Sequence, residues 1–122
     1  MIHALVIDDN RYTADSLCQL LSLLDIDARA AYGPRAAMVE LTKKVPDVVL
    51  LDLNMPGVTG FEVLGYLRRE PRLLNVPVVV VTAEDQRHEL QRAVTEGAVA
   101  VIIKPATIDD LEAVLRKAGV VK

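Results

Sequence analysis

Two patterns of apolar residues alternate along this chain. Short, largely apolar runs appear at Leu5 to Ile7, Asp47 to Leu51, Val76 to Val81 and Ala98 to Ile103, with a less apolar one at Ile26 to Ala30. Rich in β-branched residues and bounded by turn residues, they read as strands, the most apolar of them buried on both faces. Between them lie stretches with apolar residues at helical spacing. These are Ala14, Leu17, Cys18 and Leu21; Ala37, Met38 and Leu41; Phe61, Leu64 and Leu67; Leu90, Ala93 and Val94; and Leu111, Val114, Leu115 and Ala118. Each stripe predicts a helix with one buried face.

The punctuation fits. Asn10 and Asp85 stand where a side-chain oxygen can cap free backbone N–H groups, and Thr59 with Glu62 and Thr107 with Asp110 have the spacing of capping boxes. Pro34 suits a first helical position after Gly33, while Pro46, Pro71, Gly97 and Gly119 mark helix ends. Five strands alternating with five helices call for a parallel sheet with right-handed crossovers and helices on both faces. Parallel strands share one C-terminal edge. Asp8 and Asp9, Asp52, Thr82 and Lys104, each at the end of a different strand, are therefore expected to meet there.

Composition narrows the classes. A chain of 122 residues is one domain, 1–122, able to remove roughly two-thirds of its unfolded surface from water. With 52% hydrophobic residues and a net charge of -3 it has the make-up of a globular protein and lacks the basic footprint of a nucleic-acid binder. No apolar run approaches a membrane span, and no secretory signal follows Met1, so a cytoplasmic location is the expectation. Cys18, the single cysteine, lies in an apolar helical stripe and reads as a small hydrophobe. His3 and His88 have no partner at metal-ligand spacing and read as structural or exposed.

The converging polar groups have a definite chemistry. Carboxylates at close range raise one another's pKa, and a divalent cation relieves this. Oxygen ligands from Asp9 and Asp52, a backbone carbonyl from the loop after Asp52 and several waters suit Mg²⁺, with Mn²⁺ as an alternative ion. Lys104 adds a mobile cation and Thr82 a hydroxyl donor. A metal, a lysine and a hydroxyl around a carboxylate nucleophile form a sufficient set for phosphoryl transfer, in which a protein mainly positions groups and neutralises charge.

The order and spacing of Asp8 and Asp9; Asp52, Met55, Pro56 and Gly57; Thr82 and Ala83; and Lys104 and Pro105 resemble the receiver domain of two-component response regulators over essentially the whole chain. The resemblance implies a doubly wound (βα)5 flavodoxin-like sandwich with strand order 2-1-3-4-5. It implies that Asp52 accepts a phosphoryl group from a histidine kinase or phosphotransfer protein. It further implies that Asp9 binds the metal directly, that Asp8 acts through the metal's waters, and that Asn54 offers its backbone carbonyl. Lys104 would contact the phosphoryl oxygens, Thr82 would swing toward them, and the Lys104 to Pro105 peptide would be cis. Asn54 and Glu84 occupy positions that, in this family, tune hydrolysis of the acyl phosphate. One position departs from the pattern: Val101 stands where receivers commonly carry the Tyr or Phe that moves with the threonine.

The principal expectation is a phosphorylation-controlled switch that catalyses only its own phosphorylation and dephosphorylation. The alternative is an interaction module of the same fold that does not use phosphorylation, for which Val101 is the support. An independent aspartyl phosphatase of the haloacid dehalogenase type would need an acid where Asn54 stands, and a flavin site would need a hydroxyl- and glycine-rich loop after the first strand instead of acids. Nothing after Lys122 suggests an output, so the expectation is a single-domain regulator or a receiver excised from a longer chain, acting on a downstream protein or output domain. A homodimer through the fourth helix, last strand and fifth helix is a further expectation. Arg87, His88 and Arg92 line the fourth helix there, and Val99 and Val101 the strand.

Overall fold

The computed structural model describes residues 1–83 and 85–122. Glu84, one of the two positions expected to tune hydrolysis, lies outside them. Strands β1 (Ile2–Ile7), β2 (Ile26–Ala31), β3 (Val48–Leu51), β4 (Val78–Thr82) and β5 (Ala100–Ile103) form one parallel sheet in the order β2-β1-β3-β4-β5. They alternate with α1 (Arg11–Ser22), α2 (Pro34–Lys43), α3 (Gly60–Arg69), α4 (Arg87–Thr95) and α5 (Ile108–Lys117). The fold is the doubly wound, flavodoxin-like sandwich.

Strand alternation sorts the core into two layers. Leu5, Ile7, Val49, Leu51, Val78 and Val80 face α2, α3 and α4, where they pack with Leu41, Leu64 and Leu67. Ala4, Val6, Val48, Leu50, Val79 and Val81 face the other way and pack with Leu17 and Leu21 of α1 and Leu111 and Leu115 of α5. The three central strands therefore have apolar side chains on both faces, which is why their sequences run unbroken. Edge strand β2, open along one side, alternates buried Ile26 with exposed Asp27.

Several element boundaries differ from the sequence reading. Strand β1 starts earlier, at Ile2, because the edge strand gives it partners from Ile26 onward. Asp47 lies before β3, and its carboxylate accepts the His3 N–H at 2.8 Å. Val76 is not in β4: a short 3-10 turn over Pro71–Leu73 and Pro77, which has no N–H to donate, delay that strand to Val78. Strand β5 begins at Ala100, two residues after Ala98. Helix α4 begins at Arg87 with Gln86, not Asp85, at the cap, since the Leu90 N–H bonds the Gln86 carbonyl. At α3 Thr59 accepts the Glu62 N–H at 3.3 Å without a return bond from Glu62 among the described residues, whereas Thr107 and Asp110 make the full reciprocal box at α5. No helix among the described residues is long and apolar enough to cross a membrane.

Candidate functional site

The sheet ladder places the polar residues. Ile7 is level with Leu51, Leu51 with Val80, and Thr82 with Ile103, so the strands end together. The next amides continue the rungs: Asp8 N–H donates to the Ala31 carbonyl at 3.1 Å, Asp52 N–H to Ile7 at 3.0 Å, and Lys104 N–H to Thr82 at 2.8 Å. Asp8, Asp52 and Lys104 thus have fixed backbones. In phase with Val6, Leu50 and Ile102, they also leave the sheet on one face.

One carboxylate oxygen from each of Asp8, Asp9 and Asp52 falls within 4.8 Å of the others. Asp8 and Asp52 are buried and Asp9 is exposed, so the cluster is a pocket floor with one ligand at its mouth. Asp8 uses both oxygens, one accepting the Asn10 N–H at 2.9 Å and the other the Lys104 ammonium at 2.7 Å. Lys104 Nζ is 3.6 Å from Asp52 Oδ2. Asp52 also accepts the Asn54 N–H at 3.4 Å and a hydrogen bond from the fully buried Thr82 hydroxyl. Burial pushes the Asp52 carboxyl above its ordinary pKa, the Asp8 charge adds to this, and Lys104 opposes it.

The donor set fits a hard divalent cation. Two buried carboxylates and a third at the rim face a single ammonium, and that ammonium sits on Asp8 rather than midway. Negative charge is therefore in excess on an all-oxygen face with a solvent-open side, which suits an ion that keeps part of its water shell. The peptide bond between Lys104 and Pro105 is cis.

Two features of the site have no motif in the sequence. Gly60, the first residue of α3, passes so close to the β3–α3 loop that a Cβ there would lie 2.3 Å from the Asp52 carbonyl oxygen and 2.5 Å from Leu53 Cα. A glycine at a helix start is the only sequence trace of this contact. Arg92 of α4, expected on the dimer-forming side of that helix, lies with its guanidinium 3.9 Å from the Phe61 ring centre of α3 and also pairs with Glu96. The remaining residues lie elsewhere. His3 pairs with Asp27 at 3.2 Å beside a cleft of about 250 Å³ lined also by Arg29, Glu40 and Lys43, and His88 contacts Glu89 at 3.4 Å. Cys18 is half-buried, its thiol pushed up to about 11 by burial and by Asp15. Val101 packs against the α2–α4 side of the core, while Val94, Val99 and Ile103 expose 52%, 40% and 46% of their surface and leave an apolar strip along α4 and β5.

Residues 4–116 match the family described as the response regulator receiver domain. Among curated proteins the chain is 33% identical to the sensory transduction protein RegX3 of Mycobacterium tuberculosis over 98% of its own length and 53% of the relative's. It is also 33% identical to the response regulator PleD of Caulobacter vibrioides over 88% of this chain and 23% of that one. It therefore spans about half the length of RegX3 and less of PleD. Among solved structures, the chemotaxis protein CheY4 of Vibrio cholerae superposes with a TM-score of 0.89 at 25% identity, covering 97% of this chain and 98% of that one. The signal receiver domain of a signal transduction histidine kinase from Syntrophus aciditrophicus gives 0.86 at 25% identity, covering 100% and 93%. The chain belongs to the response regulator receiver domain family.

Proposed function

We propose that Asp52 accepts a phosphoryl group from a histidine kinase or phosphotransfer protein in the cytoplasm, and that this acyl phosphate switches binding to a downstream protein or output domain. The observation that carries the reading is the juxtaposition of a buried carboxylate, Asp52, with a second buried carboxylate, a lysine and a buried hydroxyl at one sheet edge. An Asp52 oxygen attacks phosphorus in line, and the donor's bond to phosphorus breaks with the electron pair leaving on the donor. Asp9, Asp52 and the Asn54 carbonyl would hold a divalent ion and Asp8 would act through its waters, and Mg²⁺ when bound would supply the positive charge that offsets the phosphoryl oxygens. Lys104 transfers its ammonium from Asp8 to a phosphoryl oxygen. Thr82 already donates to Asp52 and turns to follow the new acceptor.

Signal output then differs from receivers with an aromatic switch, because Val101 has no ring to move. The exposed Val94, Val99 and Ile103 offer the apolar area for contact with a partner or a second copy along α4, β5 and α5. Val101 also favours the second reading, a phosphorylation-independent interaction module.

Intact mass after incubation with Mg²⁺ and acetyl phosphate tests the choice. A single phosphate adduct, absent with EDTA and in Asp52→Asn, is the expected result. No adduct, and no beryllofluoride binding by folded protein, would sink the phosphoacceptor reading in favour of the module.

A further inference from the structure

The rim of the acidic pocket carries a cation that the proposed phosphoryl chemistry has not used. Arg11 is the first residue of α1, where the helix dipole opposes a positive charge, and the first turn has no acidic side chain to offset it. The helix dipole therefore does not explain an arginine here. Although the exposed Asp9 is two residues away, Arg11 forms no ion pair among the described residues. Its guanidinium lies instead 4.5 Å from the centre of the Tyr32 ring.

Tyr32 is itself held. Its hydroxyl donates to Asp15 Oδ1 at 2.6 Å, tying the end of β2 to the first turns of α1. It directly follows Ala31, which is level with Ile7, so the ring and the cation above it stand on the same sheet edge as Asp8 and Asp52. Strands β2 and β3 flank β1 on either side, which puts Tyr32 about two strand spacings, or ~10 Å, from Asp52.

We propose that Arg11, held over Tyr32, captures dianionic phosphodonors on their way to Asp52 and so favours them over donors of lower charge. The inference rests on the phosphoacceptor reading. With a divalent ion in place, three carboxylates, that ion and Lys104 are close to neutral together, so the pocket itself exerts little long-range pull on an anion. The Arg11 guanidinium at the rim supplies one, reduced by the Asp15 carboxylate at the far end of Tyr32 but lost by one full unit when Arg11 is neutralised. With two strand spacings, ~10 Å, taken as the length scale, a unit charge in water changes the encounter probability of a dianion about fourfold and of a monoanion about twofold, and a screening length near 3 Å at 1 M salt removes both effects.

The test is the rate of adduct formation at pH 7 with dianionic acetyl phosphate and with phosphoramidate as the monoanionic donor, each below saturation, at low and high salt. Arg11→Gln is expected to slow the first about fourfold and the second about twofold at low ionic strength, with both ratios falling toward unity at high salt. Arg11→Lys keeps most of the wild-type rate. Tyr32→Leu, which keeps the charge but frees it, loses part of it. Arg11 is exposed, so the two Arg11 variants should melt within a degree or two of wild type. Equal rates for wild type and Arg11→Gln with both donors would overturn the capture role, as would an equal slowing of both donors that salt does not change. A wild type without an adduct from either donor would instead overturn the phosphoacceptor reading.

Discussion

Adding one methyl group at Gly60 tests whether the start of α3 braces the turn that carries Asp52. A Cβ there would meet the Asp52 carbonyl oxygen at 2.3 Å and Leu53 Cα at 2.5 Å, while ordinary contact begins at 3.4 Å. The backbone must therefore open by about 1 Å, at a place where the Gly60 N–H also donates to the Leu53 carbonyl at 2.9 Å. Alanine's better helix propensity returns at most about 1 kcal/mol. Overpacking against backbone, which has no rotamer to escape into, costs more, so Gly60→Ala should lose about 2–3 kcal/mol net. That is a fall in melting temperature of roughly 8–12 °C for a domain of this size. Gly65→Ala on the same helix is the control. Its Cβ would meet only the movable end of Arg69, at 3.0 Å, so that variant should gain about 0.5–1 kcal/mol. Urea unfolding of both, with phosphorylation rates measured on protein still folded, reads the two signs. A 1 Å displacement beside Asp52 should also slow the reaction by up to ~100-fold. A Gly60→Ala protein as stable and as reactive as Gly65→Ala would refute the close approach.

Three other predictions concern the charges and the switch. Lys104→Met strands the Asp8 carboxylate, whose side chain is 2% exposed, and because Lys104 itself is 20% exposed and water can partly replace it, the metal-free loss should be about 2–3 kcal/mol. Mg²⁺ should restore part of this; unchanged urea midpoints in EDTA would contradict the pairing. The Asp52 pKa is raised in the folded state, so the native protein holds the proton to higher pH than the unfolded chain does. Metal-free wild type should therefore lose stability relative to Asp52→Asn as pH rises from about the ordinary value of 3.8 through the raised one, then run parallel to it. Paired urea titrations in EDTA from acid to neutral pH check this, and a gap that narrows with rising pH would have the wrong sign. Val101→Tyr should keep the phosphate adduct while changing affinity for whatever binds α4 and β5; identical partner affinities in both proteins, phosphorylated and not, would count against the role given to that position.

Much of this protein is determined within short stretches of chain. Whether a segment is a strand or a helix depends on side chains a few residues apart, so the apolar runs at Leu5, Val48 and Val78 and the stripes of α1 and α5 are legible without any tertiary knowledge. So is the meeting of Asp8, Asp9, Asp52, Thr82 and Lys104, because parallel strands put their C-terminal ends on one edge. The strand order was implied by family resemblance and not by spacing. The starts of β3, β4 and β5 differ from the apolar runs, falling at Val48, Val78 and Ala100 instead of Asp47, Val76 and Ala98. Only the tertiary structure decided that Lys104 sits on Asp8 and not on Asp52, 96 residues away from its partner in the chain. It alone placed Arg11 over Tyr32, Arg92 over Phe61 and Gly60 against the Asp52 backbone. Contacts between distant segments depend on how far helices sit from the sheet and how they turn on it, and those quantities are set by the whole packed core rather than by any local run of residues.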